Sequence, residues 1–246
     1  MAEIIRIKNL KKRFGKFEVL RGVNLEIEER SLTFIMGQSG TGKSVLLKHI
    51  VGLLKPDQGE IWFDGKDITK LSERELQDVR KRIGYLFQEG ALFDSMTVKE
   101  NVMFPLKEHF KMKRSEMEEK AEELLEAVGL KEAMNKFPSE LSGGMRKRAA
   151  LARTLALSPE IVLFDEPTTG LDPILQVSIM ELIKNLKEKL GLTCIVVSHD
   201  VALSLKFADW VAFLYKGEIV EKGSVKEIMN SEHPFVKEFL KSAFVI

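Results

Sequence analysis

The stretch Gly37-Gln38-Ser39-Gly40-Thr41-Gly42-Lys43-Ser44 constrains this chain more than any other, because it matches G-x-x-x-x-G-K-[ST] between two apolar segments. Leu32-Thr33-Phe34-Ile35-Met36 before it is short, apolar and β-prone, and Val45 to Val51 after it suits a buried helix. A strand, a glycine-rich loop and a helix in that order make a phosphate cradle. Gly37, Gly40 and Gly42 let backbone N–H groups converge where a Cβ would intrude, and the helix opening near Lys43 brings its positive dipole end to the same point. The pattern predicts a bound nucleoside triphosphate, with Lys43 on the β and γ phosphates and the Ser44 hydroxyl on Mg²⁺.

A triphosphatase also needs a second carboxylate near the metal, and Asp165 ends the apolar run Ile161-Val162-Leu163-Phe164. Glu166 follows at once, where an acid can polarise a water for attack on the γ phosphorus. Ile161 to Glu166 reads as one buried strand, its all-apolar run fitting a parallel sheet covered on both faces.

The rest of the chain sets these motifs in an α/β frame. Residues 4 to 36 alternate in the β manner, with Phe14-Gly15-Lys16 as a hairpin tip, which predicts an antiparallel start. Glu60 to Phe63 and the Asp64-Gly65 turn resume it. Residues 72 to 82 read as a helix, and Ile83 to Phe87 as a strand delivering Gln88 at its end. From 97 to 157 the pattern is helical, and Ser115-x-x-Glu118 reads as a capping box opening a helix with Met117, Ala121, Leu124, Leu125 and Val128 on one face. Asp172-Pro173 opens another helix, which Gly191 ends. Leu192 to Ser198 is an interior strand stopping at His199. Trp210 to Tyr215 and Glu218 to Glu221 form a hairpin, and Ser224-x-x-Glu227 starts a short helical tail.

Composition narrows the setting. Lys plus Arg (38) nearly balance Asp plus Glu (37), so no global field calls for nucleic acid, and none is expected as a partner. No apolar run is long enough to span a bilayer, and Met1 to Arg6 lacks the order of a signal peptide, which predicts a cytoplasmic protein. The single cysteine, Cys194, lies in the apolar run Thr193 to Val197 and reads as core and not as a nucleophile.

Between the two phosphate motifs lies Leu141-Ser142-Gly143-Gly144-Met145, opening the helical run from Arg146 to Leu157. Leu-Ser-Gly-Gly ahead of an Asp-Glu strand resembles the signature of ATP-binding cassette (ABC) proteins, and the resemblance covers essentially the whole chain. It implies one domain over residues 1–246: a P-loop NTPase core with an antiparallel β subdomain over about 1–90 and 155–246, and an inserted α-helical subdomain over about 91–154. Physically the signature is a second anion site at a helix N-terminus, formed by Ser142 and the N–H groups of Gly143 and Gly144. In the family it reaches the phosphate held by the opposite subunit, so ATP joins two copies head to tail.

The resemblance carries further residues over one at a time. Gln88 matches the glutamine that touches Mg²⁺ and the attacking water, His199 the switch histidine on the γ phosphate, and Phe14 the aromatic ring on adenine. Core packing is the competing reading for Phe14. Gln38, Ser39, Thr41 and Val45 join the cradle, with Val45 replacing a common Ser or Thr. Asp172 matches the D-loop aspartate, although a plain helix N-cap accounts for it equally well. Met145 stands where the family commonly has a polar residue, and Thr169-Gly170-Leu171-Asp172 is looser than the common Ser-Ala-Leu-Asp.

Residues Gly90 to Val102, with Met145 and the basic Arg146-Lys147-Arg148, resemble the ATPases of Mla-type (MCE-associated) lipid transport systems. That resemblance implies an integral membrane permease and an MCE-type lipid-binding protein as partners, a place on the cytoplasmic face of the inner membrane, and phospholipid as cargo. Leu92, Phe93, Met96, Val102, Met103 and Phe104 are candidates for the permease-facing surface, with subdomain core as the competing reading. A polar-solute importer ATPase shares every catalytic motif, and a division-type ABC ATPase is a further alternative.

Overall fold

The computed structural model describes residues 2–244; Met1, at the head of the amino-terminal stretch read above, and Val245 and Ile246 lie outside the described residues. The hairpin expected around Gly15-Lys16 joins β1 (Glu3–Phe14) to β2 (Phe17–Glu28), and β3 (Leu32–Met36) runs into the glycine-rich loop ahead of α1 (Lys43–Ile50). Next come β4 (Gln58–Phe63), β5 (Lys66–Asp67), α2 (Glu73–Arg82) and β6 (Ile83–Leu86). The helices α3 (Val98–His109), α4 (Arg114–Ala127) and α5 (Gly143–Leu155) then precede β7 (Ile161–Asp165) and α6 (Pro173–Leu190). The chain continues through β8 (Thr193–Ser198), α7 (Val201–Phe207), the hairpin of β9 (Trp210–Tyr215) and β10 (Glu218–Ser224), α8 (Val225–Met229) and α9 (Pro234–Phe244).

The strands form two sheets. One is antiparallel, in the order β2-β1-β4-β5; the other has six strands in the order β10-β9-β3-β8-β7-β6, parallel except for the β9–β10 hairpin. This corrects the antiparallel reading of 4 to 36 at its end: β3 leaves the first sheet and pairs in parallel with β8 and β9. Period-two alternation divides the larger sheet between two cores. Phe34, Phe164, Val196 and Phe213 point into one with the helical block, while Ile35, Leu163, Val197 and Leu214 point into the other with α1 and the antiparallel sheet. Truncating a ring as buried as Phe164, at 1% exposed, costs about 3–5 kcal/mol.

Three further readings need correction. The Ser115/Glu118 capping box is not used: α4 starts at Arg114, the Lys113 N–H donates to Glu116 at 2.8 Å, and Glu118 instead accepts from Arg114. Val102 is fully buried in the helical core and cannot face a partner, because its neighbours on α3 turn Val98, Val102 and Leu106 inward together. Glu166 stands outside β7, in a left-handed conformation with φ 51°.

Candidate functional site

The cradle forms because β3 stops at Met36 and α1 starts at Lys43, leaving a loop that needs glycine at 37 and 42 for want of space and at 40, where a Cβ would meet nothing within 4 Å, for its φ of 76°. A Cβ on Gly37 (φ 154°) would stand 2.3 Å from the Leu214 carbonyl oxygen, and one on Gly42 (φ 100°) would stand 2.8 Å from the Val19 side chain. Gly42 caps α1 without a side-chain hydrogen bond, so the first-turn N–H groups keep their donors for a ligand. The Lys43 ammonium donates to the carbonyls of Gly37 and Gln38 at 2.8 and 2.9 Å. Burial pushes its pKa down from the ordinary lysine value, opposed by the nearby Glu166 and Asp165 carboxylates.

Across from the cradle, the Ser44 hydroxyl donates to Asp165 Oδ1 at 2.7 Å, joining α1 to the end of β7. The Tyr85 hydroxyl donates to Asp165 Oδ2 at 2.9 Å, so both carboxylate oxygens are oriented. Burial, with the Asp165 charge, raises the Tyr85 pKa, so the phenol stays a donor. Beyond Asp165, Glu166 Oε2 accepts from Thr169 Oγ1 at 3.0 Å and from His199 Nδ1 at 2.8 Å. A carboxylate only accepts, which fixes the hydrogen of that pair on the imidazole.

An open cavity of about 430 Å³ lies between them, walled by Ser39, Gly40, Gly42, Lys43, Ser44 and Val45 on the cradle side and by Gln88, Glu166, Thr169 and His199 opposite, with Asp165 behind Ser44. Phe14, 45% exposed, lines the same cavity with Val19, so the ring is not core. Gly37 and Gln38 line an adjoining hollow that also reaches His199. Thr41 braces the loop by donating to the Gln38 carbonyl at 2.9 Å.

Of the expected residues, Ser142, Gly143, Gly144 and Asp172 stand apart from the cavity, and Asp165 meets it only through Ser44. Ser142 caps α5, accepting from the Met145 N–H at 3.3 Å, and ideal Cβ atoms on Gly143 and Gly144 would meet Leu171 and Leu175 at 3.5 and 3.7 Å. Asp172 caps α6 through the N–H groups of Ile174 and Leu175, both at 3.0 Å, which is the local reading of that residue. Cys194 is buried, its thiol pushed up to about 12 by desolvation.

Sequence reasoning missed Tyr85 and Thr169. Tyr85 sits in an apolar strand with nothing to mark its hydroxyl; Thr169 lies three residues after Glu166 in a turn, a spacing that brings a hydroxyl back to the carboxylate.

Comparison with known proteins gives the setting. The ABC transporter family profile matches residues 20–169. The chain is 47% identical over 97% of its length, and 90% of the relative's, to the "Intermembrane phospholipid transport system ATP-binding protein MlaF" of Haemophilus influenzae. It is 42% identical to the "Probable ribonucleotide transport ATP-binding protein mkl" of Mycobacterium leprae, covering 98% of this chain and 69% of that one. Among solved structures, a dimeric ATP-binding cassette in a post-hydrolysis state bound to ADP and Pi superposes with a TM-score of 0.83 at 36% identity, over 91% of this chain and 100% of that one.

Proposed function

The chain belongs to the ABC transporter family, and we propose that it hydrolyses ATP between two copies of itself to drive phospholipid movement through a membrane permease. The observation that carries this reading is the convergence on one cavity of Lys43, Ser44, which Asp165 holds from behind, and the Glu166–His199 pair.

In that cavity the α1 N–H groups and Lys43 take the β and γ phosphates, and the Phe14 ring stacks on adenine. Lys43 leaves its carbonyl contacts for phosphate oxygens, a stronger charge-assisted pairing. The Ser44 hydroxyl, an Asp165 oxygen and the Gln88 side chain are hard oxygen donors that would hold Mg²⁺, which would supply positive charge against the negative charge developing on the phosphates. Glu166 orients the attacking water and accepts its proton, while His199 holds the Glu166 carboxylate and reaches the γ phosphate. Ser142, Gly143 and Gly144 close the site from the second copy, which accounts for their distance from the cradle of their own chain. Asp172 then lies at the seam between the copies. All of these groups belong to one cassette domain, with α3 to α5 as its inserted helical subdomain.

Among the described residues no helix is long and apolar enough to cross a membrane, so transport requires a partner that is. The permease-facing surface is the segment after Gln88, where Phe93 is 41% exposed and packs against Phe104 at 4.8 Å between centroids. Phospholipid as cargo, an MCE-type lipid-binding partner and a place on the cytoplasmic face of the inner membrane rest on the likeness to MlaF. The name of the mycobacterial relative favours a ribonucleotide as the competing cargo. Replacing Phe93 and Met96 with Asp should abolish co-purification with the permease while ATP binding by the isolated chain persists. Mass spectrometry of the wild-type complex should find phospholipid; a complex carrying a solute-importer permease with its binding protein would contradict the cargo.

A further inference from the structure

The segment leaving Gln88 is fastened to α5 by contacts that the nucleotide chemistry does not require. Gly90 and Ala91 are both left-handed, with φ 74° and 50°. Ala91 carries a Cβ, so this conformation is uncommon for it and persists where the surroundings hold it. Arg153, near the carboxyl end of α5, holds it: the guanidinium donates to the Ala91 carbonyl at 2.7 Å and the Gly90 carbonyl at 2.8 Å, and lies 5.8 Å from the Phe93 ring centroid. A planar fork takes two carbonyls at once, which an ammonium does not reproduce. Among the described residues no carboxylate forms an ion pair with Arg153, so these carbonyls and the ring are what offset its burial.

Other contacts complete the attachment. Lys147, also on α5, donates to the Gln88 carbonyl, and a Cβ on Gly90 would stand 3.1 Å from that of Ala150, so the loop lies directly on the helix. At the far end Asn101, fully buried on α3, accepts from the Phe93 N–H at 2.8 Å and donates to the carbonyls of Phe93, Met96 and Thr97 at 3.1, 3.1 and 3.0 Å. Residues 88 to 97 are thus pinned at both ends, and the amino end of the helix they ride on is Ser142-Gly143-Gly144.

We propose that Arg153 is a positioning residue that makes residues 88 to 97 move as one body with α5, so that nucleotide engaged at Ser142 changes the pose of Gln88 and Phe93. This rests on the reading above, in which Ser142 meets the nucleotide of a second copy. The link runs through rigid contacts: a shift of α5 carries the two carbonyls held by the fork, and α3, whose Val98, Val102 and Leu106 share one core with Ala149, Ala150 and Ala152 of α5, carries the Phe93 backbone with it through Asn101.

Hydrogen–deuterium exchange on the full chain carrying Glu166→Gln, with and without ATP and Mg²⁺, tests it. In that parent, ATP slows exchange at residues 37 to 44, 142 to 146 and 90 to 97. Adding Arg153→Lys, which keeps the charge but not the fork, leaves the first two responses and brings ATP affinity within about twofold of the parent, while the response at 90 to 97 drops at least about fivefold. A purely structural role would speed exchange there equally with and without ATP and preserve the ATP-dependent difference; that result overturns the proposal. So does a parent whose residues 142 to 146 respond while 90 to 97 do not. Loss of protection at 37 to 44 in the parent strikes the nucleotide reading itself, and the inference falls with it.

Discussion

His199 Nδ1 lies 2.8 Å from Glu166 Oε2, an oxygen that also accepts from Thr169 at 3.0 Å. The carboxylate beside the cradle is therefore aimed by two donors, with its other oxygen left to meet a water. Glu166→Gln keeps the size and the hydrogen bonds of this group and removes its basicity. The variant should bind ATP, lose nearly all turnover and accumulate as an ATP-bound dimer on size exclusion. His199→Ala should lower kcat by about 10²- to 10⁴-fold with a smaller change in ATP affinity. Near-normal phosphate release from Glu166→Gln would mean that another group activates the water.

Lys43→Ala acts at an earlier step, because it removes the buried cation of the cradle. Nucleotide affinity should fall by about 1.5–3 kcal/mol, the range for a hydrogen bond to a charged group. Calorimetric titration of ATP reads this directly, and equal affinities would remove Lys43 from the phosphates.

A pH dependence of stability follows from His49, on the buried face of α1. Nδ1 lies 2.7 Å from the Val45 carbonyl, Nε2 has no hydrogen-bond partner, and burial pushes the pKa below the ordinary histidine value. Lys12 disfavours the cation further, whereas the Val45 and Lys55 carbonyls and Asp57 favour it. With the folded pKa below the unfolded one, the unfolded chain binds more protons in the window between them. Stability then rises with pH through that window and is lost as pH falls below about 6.5 toward the folded value. Urea melts between pH 7.5 and 5.5 should show this slope, and His49→Gln should flatten it.

The sequence was most legible where a residue type is forced by geometry. Gly37 and Gly42 could be read because no Cβ fits there, and Asp165 because an apolar run ends on a carboxylate. Caps were less secure. Ser115-x-x-Glu118 and Thr97-x-x-Glu100 obey the same rule, yet the box forms at Thr97, where the side chain accepts from the Glu100 N–H, and not at Ser115. Helix α7 went unread because its apolar run is short and follows a strand end, although Asp200 caps it by accepting from the Leu203 N–H. Tyr85 and Arg153 are legible only in three dimensions: each meets a partner far along the chain, Asp165 and the Gly90-Ala91 carbonyls, and neither spacing follows a local period.

The separation of Ser142 from the cavity leads to a mixing experiment. A heterodimer of Lys43→Ala and Ser142→Arg subunits places both lesions in one composite site and leaves the other intact, so it should bind a single ATP between its copies. Two independently impaired monomers would contradict a shared site.

The claim that hydrolysis by this chain moves phospholipid is tested most directly by transfer between vesicles. The purified complex of the chain with its permease, in labelled phospholipid vesicles, should exchange lipid with an MCE-type acceptor when ATP and Mg²⁺ are present, and Glu166→Gln should abolish the ATP-dependent part. ATP hydrolysis at the wild-type rate without any ATP-dependent lipid exchange would contradict the account.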